Sequence, residues 1–481
     1  MVRAAGRLLL VTAASALAVP ASADDLREAL VQAYNYNPTL LAARANQRAN
    51  DENVPIQRAD GLPGVNAEGT FTEILKNQAN NFVNPKRVLS ASANLGIPVY
   101  SGGAVRNSVR AAKVRVEAGQ ADLRATESSV FSQVVDAYME VVSQEAVVGL
   151  NRKNVAVLEV NLQATSDRYE IGDLTRTDVA QSESRLALAR GDTQTAEAQL
   201  LAARERYIAL VGKAPVSLVP PPPLPSFPAG PDQAVAIALE SNPDILAARE
   251  RSKAAGYDIE VAGSSRLPRL EVFTSSTYTD YLDTLPGFEG GLAPDQDTIG
   301  ATAGLRATIP IFQGGRPAAL RRQAQATASA TQETEIAVER DVIAQARSAY
   351  STWAAANEVI LSTQTAVDAA ALSLEGVRAE NSVGNRTILD ILDAEQEFLD
   401  ASVRLVNARR AAYVAGFTLL AAMGRAEAKD LNLDGGILYD PEQNYKRVRG
   451  KIFDWDNDPA PMPQATRTVD TPAQDGEVPA Q

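Results

Sequence analysis

Residues 383–393 read Val-Gly-Asn-Arg-Thr-Ile-Leu-Asp-Ile-Leu-Asp, a glycine turn followed by a segment with helical spacing. Gly384 can adopt the left-handed backbone conformation that ends a helix. Thr387 stands three residues before Asp390, which is the spacing of a helix N-cap. The stretch therefore predicts the tip of a helical hairpin.

Acidic side chains follow this turn on one face of the predicted helix. Asp390 and Asp393 are three residues apart, and Glu397 and Asp400 continue the line at about 3.5-residue steps. Such a line is usually a solvated helix face.

A fainter copy of the tip stands at residues 171–179 and contains Gly172 and Asp178. The helix after it continues with Gln181 and Arg185 instead of acids. Because only one of two otherwise parallel hairpins carries an acidic line, the asymmetry favours a functional role for that line.

Three further phrases also occur twice, in the same order. The pairs are Asn37 to Arg44 with Asn242 to Arg249, Leu62-Pro63 with Leu267-Pro268, and Ile97 to Gly103 with Ile309 to Gly315. They indicate a tandem duplication of about 210 residues. We therefore predict structural repeats over residues 24–230 and 231–433, then a C-terminal segment, 434–481, that is largely a disordered tail.

Each repeat contains two strand-like segments. Residues 89–97 and 299–311 alternate apolar and polar side chains, and their partners, 65–75 and 270–281, are rich in Thr, Phe and Tyr. At about 10 to 13 residues these segments have the length of tilted transmembrane strands. Two soluble hairpins capping a helical domain are the alternative.

Long helical patterns follow the strands, from Ala104 to Tyr169 and from Pro317 to Asn381, each on the order of 100 Å long. Apolar residues recur at every seventh position, which is typical of coiled-coil packing. The return helices, 175–211 and 387–423, are shorter by about 45 Å. We expect a helix over 232–263 to complete the first hairpin, and the N-terminal helix, 26–58, to complete the second.

The composition excludes several classes of protein. The 481 residues are 45% hydrophobic but only 5% aromatic, which suits helix bundles. Without His or Cys, the chain has no histidine base, thiol nucleophile, Cys/His zinc site or disulfide. A formal charge of -13 argues against nucleic acid as a partner.

The N-terminus has the pattern of a secretory signal peptide over residues 1–23. Arg3 and Arg7 precede an apolar run, and small residues at 21–23 end it. No later apolar run is long enough for a membrane-spanning helix, and no cysteine follows the cleavage site to carry a lipid.

Four long strands per chain cannot span a bilayer alone, because the sheet would leave unpaired edges in lipid. A barrel must then be shared between chains, and about twelve strands from three chains would leave a lumen. The long helices would form a cylinder beneath this barrel.

This architecture, the Asn-Pro phrases, the Gly-Gly phrases and the tip at 383–393 resemble the TolC family of outer-membrane channel-tunnels, over residues 24–433. The resemblance implies a mixed fold in which a shared transmembrane β-barrel continues into an α-helical coiled-coil barrel in the periplasm. It also implies a homotrimer in the outer membrane of a Gram-negative bacterium. Such a trimer is the exit duct of a tripartite efflux pump or type I secretion system.

The implied partners are a periplasmic adaptor (membrane fusion) protein, an inner-membrane transporter of ABC or RND type, and outer-membrane lipid. The resemblance implies that Asp390 and Asp393 narrow the tunnel entrance, where about six carboxylates would favour cations. Arg386 and Asp178 match a network that holds the entrance shut. Asn381 stands where some relatives have a tyrosine in this network.

The adaptor would dock at the tips, on Gly172, Val383 and Gly384. No catalytic residue, metal or cofactor is expected. The first alternative is a structural or adaptor protein that bridges the periplasm without a conducting pore. The second is a periplasmic hydrolase with an acid pair, although two carboxylates three residues apart on one helix cannot easily flank a substrate.

Overall fold

The computed structural model describes residues 25–76, 85–285, 294–433 and 438–478. The predicted signal peptide lies outside these ranges, as do parts of the two loops that join the strands.

The described elements follow the same order twice, with one helix fewer before the strands of the second repeat. The first repeat contains α1 (Leu26–Tyr36), α2 (Pro38–Asp51), α3 (Asn53–Ala59), β1 (Gly64–Glu73), β2 (Arg87–Tyr100), α4 (Ala104–Glu170) and α5 (Arg176–Val211). The second contains α6 (Pro231–Ser241), α7 (Pro243–Ser264), β3 (Arg269–Asp280), β4 (Asp297–Thr308), α8 (Arg316–Ser382) and α9 (Ile388–Ala422), and α10 (Pro441–Val448) follows. The predicted mixed fold with an internal duplication is confirmed.

The four described strands form one antiparallel sheet in the order β1-β2-β3-β4. One row of the sheet runs from Ala67 through Ala93 and Ser276 to Ala301, so the central pair, β2 and β3, joins the two repeats. The register shifts after Pro98, whose nitrogen cannot donate to the ladder. Within the described ranges, β1 and β4 each have one unpaired edge.

The long helices α4 and α8 have 67 residues each, about 100 Å at 1.5 Å per residue. Val134, Val141 and Val148, spaced by seven, are fully buried in α4, as the periodicity predicts. The main hydrophobic cluster includes Tyr138 and Tyr207, whose ring centroids are 6.4 Å apart. In the part of the chain that the structure describes, no helix combines the length and apolarity needed to cross a membrane.

The N-terminal helical segment is divided into three helices, not one, and its first break is at Asn37. The Asn37 side-chain oxygen accepts from the backbone N–H of Thr39 at 2.9 Å and so begins α2. The same side chain donates through Nδ2 to the carbonyl of Leu210, at the end of α5, at 2.9 Å. The start of α2 is therefore joined end to end with α5, although the two helices are far apart in sequence.

Asn242 repeats this arrangement. It caps α7 by accepting from Asp244 N–H at 2.9 Å and donates to the carbonyl of Ala422, in the last turn of α9, at 3.0 Å. Our prediction of which helix completes which hairpin is therefore wrong, since each return helix is extended by a helix of its own repeat. Length alone could not distinguish the two pairings, because both candidate segments are of similar length.

The C-terminal segment also differs from the prediction of a largely disordered tail. In its described part, 438–478, α10 packs on α2, and an extended strap then descends along α5. Arg204 of α5, 6% exposed, donates to the carbonyls of Asp475 at 2.6 Å and Glu477 at 2.9 Å. The strap is held by hydrogen bonds from a buried arginine to its backbone carbonyls, so it needs few apolar side chains of its own.

Candidate functional site

The far ends of the two helical hairpins are glycine turns. Gly172 and Gly384 have φ of 84° and 83°, and a Cβ at either position would meet nothing within 4 Å. Glycine is therefore required for the backbone conformation and not for space. Val383 is 70% exposed beside Gly384, so the predicted docking residues form an open surface at the tips.

Each turn is followed by the same capping box. Asp390 Oδ2 accepts from Thr387 N–H at 2.8 Å and from its hydroxyl at 2.6 Å, and Asp178 accepts from Thr175 at 2.8 and 2.7 Å. The threonine hydroxyl, with the backbone N–H second, lowers the pKa of both aspartates. Both carboxylates are therefore ionised at neutral pH.

Arg386 belongs to a network within the second tip. Its Nε donates to Glu380 Oε2 at 2.7 Å, and its Nη1 lies 3.8 Å from Asp390 Oδ1. The bond to Glu380 raises the pKa of Arg386. Asn381 Nδ2 donates to the Arg386 carbonyl at 2.7 Å. The structure thus brings Arg386, Asn381 and Asp390 together and adds Glu380, which sequence reasoning missed.

Asp178 is not joined to Arg386 in the described part of this chain. Its contacts are those of its own capping box in the first tip. A contact between these two predicted gate residues would have to form between copies of the chain.

Asp393 is paired with a residue from the other hairpin. Arg185 of α5 donates through Nη2 to Asp393 Oδ1. Arg185 occupies the position in the first repeat that Glu397 occupies in the second, so the hairpin without an acidic line supplies a cation to the one that has it. Sequence reasoning noted Arg185 but did not recognise it as a partner.

An apolar cluster holds α9 at this height against the first hairpin. Leu392, between the two predicted constriction residues, is 2% exposed and packs with Leu158, Leu186 and Ala189. On the other side, the 6% exposed Glu395 pairs with Arg378 of α8. These contacts fix the rotation of α9, and therefore the direction of its acidic face.

The acidic line borders an open groove between α8 and α9, with a volume of about 550 Å³. Asp393, Glu397 and Asp400 line one side of it, together with Arg404. Ser362 and Thr363 of α8 line the other side. The groove is open to solvent, and its lining combines three carboxylates and one guanidinium with alanine side chains of both helices.

Comparisons with known proteins identify the family and the fold of this chain. The family model described as "Outer membrane efflux protein" matches residues 29–213 and 234–425. The outer membrane efflux protein BepC of Brucella suis biovar 1 is 34% identical over 90% of this chain and 92% of its own length. The outer membrane protein TolC of Vibrio cholerae is 26% identical over 86% and 94%.

Among solved structures, the outer membrane protein VceC of Vibrio cholerae has a TM-score of 0.70 at 22% identity. The alignment covers 83% of this chain and 96% of VceC. At this identity the likeness concerns the fold alone.

Proposed function

This chain belongs to the outer membrane efflux protein family, and from that premise we propose that three copies form the exit duct of a tripartite efflux pump or type I secretion system. It is an outer membrane protein, and its long helices extend from the strands into the periplasm. One observation carries the proposal. The acidic face of α9 lies at the free end of a helical hairpin, and the opposite end of that hairpin continues into a sheet whose strands are long enough to span a membrane.

The sheet supports the trimer. Its four described strands have edges at β1 and β4 that must be paired in a bilayer, and three chains supply about twelve strands, enough to surround a lumen. The helix α8 supports it too, because apolar side chains such as Val359, Leu361 and Leu372 stay exposed in one chain. Packing against a neighbouring copy would bury them.

The tips would close the periplasmic end of this duct. In a trimer, Asp390 and Asp393 of each copy converge near the axis, and Arg185 offsets part of the charge of Asp393. Arg386, held by Glu380 and Asn381, is positioned to meet Asp178 of a neighbouring copy. Outward movement of the second hairpin would separate these groups and open the entrance.

The exposed tips at Gly172, Val383 and Gly384 would receive a periplasmic adaptor, which links the duct to an inner-membrane transporter of ABC or RND type. The proposed contacts that close the entrance, made by Asp178, Arg386, Asp390 and Asp393, do not involve the Val383 side chain. It is therefore available for an apolar contact with the adaptor.

The export role is tested in a bacterial strain from which the gene for this protein has been deleted and to which wild-type or variant protein is supplied. Wild-type protein should restore either low accumulation of a fluorescent efflux substrate or release of a secreted protein, and that outcome decides between pump and secretion duct. Val383→Asp should reach the membrane normally but fail to export, because a charge disrupts the apolar tip contact. Val469→Asp, at an exposed site in the tail, is the matched control and should export normally.

If the wild-type chain is present as a trimer in the outer membrane and restores neither activity, the exit-duct proposal is wrong. A periplasm-bridging structural role would then be favoured.

A further inference from the structure

The C-terminal segment turns back on itself in a short loop that export does not explain. We define the C-terminal lobe as residues 449–456, which follow α10. Its apolar side chains are exposed: Ile452 by 69%, Phe453 by 72% and Trp455 by 82%. Three large apolar side chains within four residues form an exposed patch that needs a partner.

The lobe lies at the membrane end of the helical region, because α10 runs parallel to α2 and α3 toward the sheet. Successive contacts fix this direction: Tyr439 N–H to Tyr34 Oη at 2.8 Å, Asn444 Nδ2 to Asp51 Oδ2 at 2.7 Å, and Arg58 Nη1 to the Arg449 carbonyl at 3.1 Å. The strand β1 begins at Gly64, six residues after Arg58. Six extended residues, the Arg58 side chain and its hydrogen bond together place the start of the lobe within about 30 Å of the sheet.

The base of the lobe is closed by ion pairs. Arg447 donates to both carboxylate oxygens of Asp458, at 2.7 and 2.8 Å, and Lys451 lies 3.0 Å from Asp456. Tyr445 packs on Val54 and its neighbours, so α10 is anchored to the first repeat. Arg447 and Lys451 are thus paired at the base, and the three apolar side chains are left at the outer end together with the exposed carboxylate of Asp454.

The end of the sheet nearest to the lobe is also apolar and exposed. Tyr100, at the end of β2, and Ile311 and Phe312, after β4, are exposed where strands pass into helices. Tryptophan and tyrosine are enriched at the level of lipid headgroups. Lysine and arginine side chains are also accommodated there, because their charged ends reach water. The lobe lies at the end of α10 that points toward this end of the sheet.

We propose that the C-terminal lobe inserts Ile452, Phe453 and Trp455 into the headgroup region of the periplasmic leaflet of the outer membrane. It acts as an interfacial anchor beside the barrel. Its own side chains would supply a membrane contact in addition to that of the strands.

The two tryptophans of the chain make the test direct. Trp353→Phe leaves Trp455 as the reporter, and Trp455→Phe leaves Trp353, which packs against Phe227 at mid-height with ring centroids 4.4 Å apart. Both full-length variants are inserted into phospholipid vesicles that carry a bromine quencher near the headgroup. We expect loss of Trp455 emission and no loss of Trp353 emission.

Equal emission of Trp455 in brominated and plain vesicles would overturn the proposal, whether its spectrum indicates water or burial against a second copy. A spin label at Phe453→Cys, with both tryptophans kept, gives an independent measurement. It should collide more with oxygen dissolved in lipid than with a water-soluble nickel chelate. Protection of the strands from added protease verifies insertion without relying on conductance, so failure of the anchor is distinguishable from failure of the channel.

Discussion

Arg185 shows how much one residue can change the character of the acidic tip. Sequence periodicity identified the aspartates, because they follow one another along a single helix. Comparison of the two repeats then showed that only one of them carries the acidic line. The ion pair from Arg185 to Asp393 joins two hairpins that are far apart in sequence. The packing of Leu392 against the first hairpin brings these two side chains together.

Replacing Arg185 with alanine should make the entrance more selective for cations. The change frees the Asp393 carboxylate in every copy, so block by a trivalent cation should need a lower concentration. Stability should change by at most about 1 kcal/mol, because the pair is solvent-exposed. Single-channel recordings measure the effect, and Arg190→Ala, which removes a pair within the first hairpin, is the control. Unchanged selectivity would contradict the assignment of Arg185.

A second residue-scale prediction concerns Glu127, which accepts from Ala428 N–H at 2.6 Å beside Glu427. Partial burial, and secondarily the charge of Glu427, raises its pKa. Folding therefore favours the protonated acid, and its stability contribution is lost as pH rises from the usual 4.5 through the folded value. Glu127→Gln should raise the melting temperature at neutral pH and converge with wild type below pH 4.5.

Thermal unfolding by circular dichroism across pH measures this difference. Glu117→Gln, at an exposed site on the same helix, should change neither the melting temperature nor its pH dependence. A lower melting temperature of Glu127→Gln at every pH would contradict the prediction.

Among the elements, the strands and the two long helices were predictable because their periods of two and seven persist over many residues. The end-to-end joins between helices could not be predicted from the sequence. The Asn-Pro phrase identified the duplication, but the carbonyl that Asn37 binds belongs to a helix 173 positions later. Sequence reasoning gives the cap but not its distant partner.

Replacing Asn37 with alanine should destabilise the protein by about 1–3 kcal/mol, because it removes the cap of α2 and leaves the Leu210 carbonyl unpaired in the interior. Asn37→Asp should be intermediate, since it keeps the cap acceptor but loses the donor. Thermal unfolding of the detergent-solubilised protein measures both. Asn35→Ala, at an exposed site two residues earlier, should be near neutral. Equal stability of Asn37→Ala and wild type would show that the join contributes nothing.

At the scale of the whole molecule, the duplicated sheet and hairpins could be inferred from sequence, and so could the need for more than one chain. The ordered strap after α10 could not, because its composition is that of disordered segments and its partners are two arginines of the first hairpin. Arg204 and Arg152 bind its backbone carbonyls, and such contacts leave no pattern in the side chains of the strap.

Arg204→Ala should release the end of the strap, because it removes both hydrogen bonds to Asp475 and Glu477. We expect cleavage of the C-terminal segment at a much lower protease concentration, with the helical hairpins still protected. Arg206→Ala, which removes an exposed pair with Asp136, should leave the cleavage pattern unchanged. Equal protection of the strap in Arg204→Ala and wild type would exclude this role for Arg204.

Single-channel conductance of the purified protein in a planar bilayer decides whether the molecule is a duct closed at its acidic tip. Wild-type protein should give a small conductance that a trivalent cation blocks. The double variant Asp390→Ala, Asp393→Ala should lose the block, and Asp173→Ala, which removes an acid of the first tip, should keep it. Absence of conductance from a trimer verified to be inserted in the membrane would contradict the channel and favour a structural bridge.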